Sequence, residues 1–120
     1  MDKVLIFIFD GMTDYEITFI SHLLCADAGK EVITIAYEDK MIKGSSGLIY
    51  KPLKLVSDVL NEDVQGLIIP GGWYGDIKPE LIKLINNLNL KGFAIEICDW
   101  FNLFESEEDK NNFYKSIKGL

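Results

Sequence analysis

The sequence predicts a three-layer α/β domain, with helices packed on both faces of a mostly parallel sheet. Three observations carry this expectation. Short continuous apolar runs recur along the chain: "KVLIFIF", "EVITIAY", "GLIIPGG" and "FAIEIC". Runs of that kind suit strands covered on both faces. Stretches with apolar residues three and four apart separate the first run from the second and the third from the fourth. Strands alternating with helices imply parallel pairing through helical crossovers. The length of 120 residues fits one domain, over residues 1–120, with a single core.

Taken in order, the first strand is expected over Lys3 to Phe9, ended by Asp10-Gly11. A helix follows from about Thr13 to Ala28, with Ile17, Ile20, Leu24 and Ala28 on its inner face. Thr13 and Glu16, three apart, resemble a capping box, and Gly29 stops the helix. The second strand runs from Glu31 to Tyr37. The stretch "EDKMIKGSSGLIYKPLKL" reads as a small hairpin or an irregular excursion. A helical turn is expected from Ser57 to Leu60. Gly66 to Gly72 forms the third strand and its glycine end, and "WYGDIK" is a loop. Pro79 suits the first turn of the next helix, which turns Leu81, Ile85 and Leu88 inward. Lys91-Gly92 leads into the fourth strand, Phe93 to Cys98. The order of elements implies a flavodoxin-like architecture.

Composition narrows the function. The apolar share of 48 % and aromatic share of 12 % supply a core and exclude disorder. A net charge of −7 argues against nucleic acid or an anionic membrane as partner, because both reward basic patches. No apolar run reaches the roughly 18 residues of a membrane span, and "MDKVLIFIFDG" lacks the cleavage site of a signal peptide. Both cysteines, Cys25 and Cys98, sit in apolar stretches. These features predict a cytoplasmic protein with reduced thiols. Nothing in the pattern calls for a metal or a cofactor.

In parallel sheets of this kind, chemistry gathers at the carboxyl ends of the strands. Three features meet there: Asp10-Gly11 with Glu16, Pro70-Gly71-Gly72, and Cys98. A cysteine at a helix N-terminus sees unpaired N–H groups and the positive end of the dipole, which lower its pKa. Paired glycines after a strand let backbone N–H groups approach a ligand closely. A protonated glutamic acid beside the sulfur would donate a hydrogen bond to the thiolate. Gly71, Trp73 and Asp10 are expected at the rim of the resulting pocket. His22, six positions from Glu16, reads as an ordinary helix residue, and Cys25 as core or near-surface filler.

"DGMTDYEI", "LLCADAGKEV", "GLIIPGG" and "KGFAIEIC" resemble, in order and rough spacing, the ThiJ/PfpI family of the glutamine amidotransferase-like superfamily. The resemblance covers about Lys3 to Cys98. It implies that Cys98 is the nucleophile and that Glu16 is the acid bonded to its sulfur. It also implies that the backbone N–H groups of Gly72 and Asp99 form an oxyanion hole. The implied activity is that of a cysteine-dependent intracellular protease or amidase acting on a peptide or small-molecule substrate. The alternative is a non-catalytic relative, an oxidative-stress sensor or interaction module, and a homodimer is expected in either case.

The chain also departs from the family pattern. Asp99-Trp100 follow the cysteine where the family has small residues. No histidine follows it, whereas hydrolytic members carry one. Only 22 residues follow Cys98, so the domain is expected to be shortened at its C-terminus and its sheet smaller than usual. Glu96 falls inside a strand, where a buried carboxylate needs a partner.

Overall fold

The computed structural model describes residues 2–72, 77–90 and 94–97, and beyond them the single positions 108, 111, 112 and 115. Five strands form a wholly parallel sheet: β1 (Lys3–Phe7), β2 (Glu31–Ala36), β5 (Lys54–Leu55), β6 (Gly66–Ile69) and β7 (Ala94–Ile97), in the order β5-β2-β1-β6-β7. β3 (Ile42–Lys43) and β4 (Ile49–Tyr50) form a separate antiparallel hairpin. Helix α1 (Asp14–His22) joins β1 to β2, and α2 (Pro79–Leu90) joins β6 to β7. The two crossovers run in opposite directions along the sheet. Right-handed connections therefore place the two helices on opposite faces, which gives the expected three-layer, flavodoxin-like arrangement.

β1 lies at the centre and is apolar after its first residue, Lys3, because it is covered on both faces. Leu5, Ile6, Phe7 and Ile8 are all 1 % exposed or less. α2 covers its face of the sheet with Leu81, Leu84, Ile85 and Leu88, all buried. Three of these were legible from the spacing, and Leu84 completes the stripe. α1 is a looser cover. Ile17 is buried, while Ile20 and Leu24 are only partly so.

Several boundaries differ from the expectation. α1 stops at His22 and passes into a π-helical turn, Leu23–Asp27, so Ala28 is exposed and contributes nothing to the inner face. Cys25, on that turn, is exposed, which removes the core alternative and leaves the near-surface one. The capping box is absent, because the Thr13 side chain caps nothing and the Glu16 carboxylate is engaged elsewhere. The expected turn at Ser57 begins one residue earlier, as a 3-10 turn over Val56–Asp58. The excursion after β2 supplies the hairpin, and also the edge strand β5, which pairs with Ile35 and Ala36. The turn at Lys91-Gly92, residues 98–107 and the Glu96 side chain lie outside the described residues.

Candidate functional site

The strand order reverses between β1 and β6, which opens a crevice at their carboxyl ends. Two loops close on each other there. After β1, the chain passes through Gly11 and Met12 into α1; after β6, it passes through Pro70, Gly71 and Gly72. Met12 and Gly72 pair as an isolated antiparallel bridge, and the Thr13 N–H donates to the Gly71 carbonyl at 2.8 Å. The approach requires glycine at position 72. Its φ is +152°, and a Cβ there would stand 2.7 Å from both the Gly11 oxygen and the Met12 Cα.

Glu16 reaches into this junction from the first turn of α1. It is half-buried, and its Oε1 accepts a hydrogen bond from the Gly71 N–H at 3.2 Å. That bond explains the missing cap, because the carboxylate serves the loop instead of its own helix end. Among the described residues, Oε2 has no partner and the Gly72 N–H has no acceptor. The junction thus presents one carboxyl oxygen and one backbone donor that no described residue engages.

Asp10 lies apart from this pair. Its carboxylate accepts the Lys43 N–H at 2.9 Å and the Lys40 ammonium at 3.1 Å. The Lys43 amide, followed by Lys40, holds its pKa below the usual carboxylate value. β7 runs beside β6 with Ile97 opposite Ile69. In sequence, Cys98 follows Ile97 as Pro70 follows Ile69. Cys98, Asp99, Trp73 and Trp100 lie outside the described residues. His22, the chain's one histidine, is exposed and lines a separate groove with Cys25, Ile17 and Tyr50.

Asp14 has no counterpart in the sequence reading. It opens α1 and is only 2 % exposed. It accepts the Ser46 N–H at 3.1 Å, the Tyr50 hydroxyl at 2.7 Å and the Ser46 hydroxyl. Burial pushes its pKa up, but the bonds from Ser46 and Tyr50 outweigh this and hold it below the usual carboxylate value. Tyr50 is pushed up to about 12, by burial first and then by its bond to Asp14. The Ser45 N–H also donates to the Met12 carbonyl at 2.8 Å, so the hairpin fixes the start of α1 and with it the base of Glu16. The partners of Asp14 lie 32 and 36 residues away, too far for any local spacing to show. The one sequence signal was "GSSG", whose Gly44 is needed because a Cβ there would stand 2.6 Å from the Asp14 carboxyl carbon.

The family model for DJ-1/PfpI matches residues 2–95. The chain belongs to the DJ-1/PfpI family. Among solved structures, oxidized DJ-1 from Toxoplasma gondii is 28 % identical, with a TM-score of 0.66 over 81 % of this chain and 55 % of its own. A DJ-1 superfamily protein from Agrobacterium tumefaciens is 18 % identical, with a TM-score of 0.72 over 81 % of this chain and 53 % of its own. A two-domain protein from Anabaena variabilis, with DJ-1/ThiJ/PfpI-like and ferritin-like domains, is 22 % identical, with a TM-score of 0.74 over 81 % of this chain and 29 % of its own. The latter two likenesses speak for the fold alone. This DJ-1/PfpI member spans about half the length of the first solved relatives it matches. Among curated proteins, none matches the sequence significantly. No helix among the described residues is long and apolar enough to cross a membrane.

Proposed function

We propose that this DJ-1/PfpI protein carries an oxidation-sensitive thiol at Cys98, served by Glu16 and the Gly71-Gly72 loop. The observation that supports this most is the Glu16–Gly71 hydrogen bond. It commits Oε1 to the loop and leaves Oε2 for the sulfur. From the protonated form, Oε2 donates a hydrogen bond to the thiolate. The Gly72 N–H remains for the oxygen that the sulfur acquires.

The reaction needs no general base, which suits a chain whose one histidine lies on an exposed turn of α1. The thiol loses its proton to solvent, and the thiolate attacks one oxygen of a hydroperoxide. An S–O bond forms as the O–O bond breaks, and hydroxide or an alkoxide leaves with the electron pair. The product is a sulfenic acid, which cellular thiols reduce. Its reversal requires a reducing compartment, in keeping with a cytoplasmic setting. A DJ-1 solved in its oxidized form stands among the relatives.

The Gly72 N–H, which has no acceptor among the described residues, also favours a second reading, a cysteine-dependent protease or amidase in which that amide and the Asp99 amide hold an acyl oxyanion. A homodimer belongs to either reading, and sedimentation of the full chain as a strict monomer would remove it. Limited hydrogen peroxide followed by mass spectrometry tests the main reading. The expected result is addition of one oxygen at Cys98, reversible by dithiothreitol and slowed in Glu16→Ala. Turnover of an amide, peptide or aldehyde by the untreated protein would move the assignment to the second reading.

A further inference from the structure

Lys78 and Tyr37 form one wall of a cavity that includes neither Glu16 nor the glycine loop. The cavity measures about 290 Å³ and opens between the carboxyl ends of β1 and β2 and the start of α2. Its floor is apolar: Ile8, Phe9, Ala36 and Ile42 are all buried. An apolar cavity of about 150 Å³ already takes benzene, so this one accommodates a substituted ring or a short aliphatic chain. It stands at the small end of ligand sites, which begin at roughly 300 Å³.

The charges around it are unequal. At the rim, Asp10 is engaged by the Lys43 amide and by Lys40. Glu38 and Lys40 are exposed and solvated. Lys78 is the half-buried charge of the group. Its backbone N–H donates to the Tyr37 hydroxyl oxygen at 2.9 Å, and its ammonium stands 4.9 Å from the centre of the Tyr37 ring. Among the described residues it has no carboxylate partner. It directly precedes Pro79, so its charge adds to the positive end of the 12-residue α2. A partly desolvated cation beside an apolar floor is matched by an anion with an apolar body.

We propose that this cavity binds a small monocarboxylate, its carboxylate on the Lys78 ammonium and its body against Ile8, Ala36 and Ile42. Glu38 on the rim disfavours a second negative charge, which sets a monoanion above a dianion.

The test is an NMR titration of the full chain with benzoate, with benzyl alcohol and benzylamine as its neutral and cationic counterparts. Benzoate is expected to shift the methyls of Ile8, Ala36 and Ile42 in a saturable way. Loss of the one charged contact, in Lys78→Met or with benzyl alcohol, is expected to weaken binding by about tenfold. Lys78→Arg, which keeps the charge, is expected to retain it. Non-saturating or scattered shifts, equal or tighter binding of either counterpart, or undiminished binding in a folded Lys78→Met protein would overturn the proposal.

Discussion

Glu16 and Gly71 stand 55 positions apart in sequence, and a single hydrogen bond of 3.2 Å joins the carboxylate of one to the amide of the other. The bond ties the first turn of α1 to the loop after β6, where the strand order reverses. Neither group is placed by its own neighbours alone. The two loops also interlock directly, through the Met12–Gly72 bridge.

That interlock predicts the cost of Gly72→Ala. A methyl group would press on the Gly11 oxygen and the Met12 Cα at 2.7 Å, both of them backbone atoms that give little. The strained backbone adds to this, for a total of about 1–3 kcal/mol. Urea unfolding of the variant should show a lower midpoint with an unchanged slope. An undisturbed midpoint would mean that the two loops do not meet as described.

The Asp14–Tyr50 pair predicts a loss of stability in base. The Tyr50 phenol ionises near its ordinary value of 10.0 in the unfolded chain and at about 12 in the folded one. A folded-state value above the unfolded one gives stability that is complete below pH 10 and lost as the pH rises toward 12. The difference between wild type and Tyr50→Phe, measured by urea unfolding from pH 9 to 12, should shrink across that window. A constant difference would place the phenol outside the hairpin clamp.

The same clamp predicts the opposite trend in acid. The folded value for Asp14 is depressed, so its contribution is present above the ordinary carboxylate range and is lost as the pH falls through the folded value. Removing the carboxylate in Asp14→Ala leaves the Ser46 donors and the Tyr50 hydroxyl unmatched. The expected cost at neutral pH is about 2–4 kcal/mol, narrowing in acid. Unfolding titrations of both proteins at matched pH check this.

Glu62 should behave differently despite its two partners. It meets Lys54 at 2.9 Å and Lys3 at 3.2 Å, and its pKa is lowered, chiefly by Lys54. The lysines are 40 % and 35 % exposed, so water and salt screen the network. Glu62→Gln is expected to cost less than about 1 kcal/mol, less still at high salt, with the effect fading as the pH falls below the ordinary carboxylate range. A larger, salt-independent loss in the unfolding midpoint would show that the screening argument fails here.

How much was legible follows from how local each signal was. β1, β2 and β6 announce themselves as apolar runs, and α2 by the spacing of Leu81, Ile85 and Leu88. That Glu16 and the glycine loop share one end of the sheet followed from the strand ends, but the bond between them joins positions 55 apart and no local spacing shows it. β5 was not visible, because Lys54-Leu55 is two residues long and carries no period. Asp14 was not singled out by the sequence, because its burial depends on a hairpin more than thirty positions later. The Thr13–Glu16 spacing pointed to a cap because local capping and a distant amide compete for one carboxylate, and the distant amide prevailed.

The most direct measurement is the pH dependence of alkylation at Cys98, in a Cys25→Ser background that removes the exposed second thiol. A midpoint well below that of a free cysteine, roughly 8.5, which rises when Glu16 is changed to alanine, is the result expected of a thiol tuned by that carboxyl and by the amides of the glycine loop. A midpoint near 8.5 in both proteins would leave Glu16 and Gly71 as a purely structural pair and contradict the proposed chemistry.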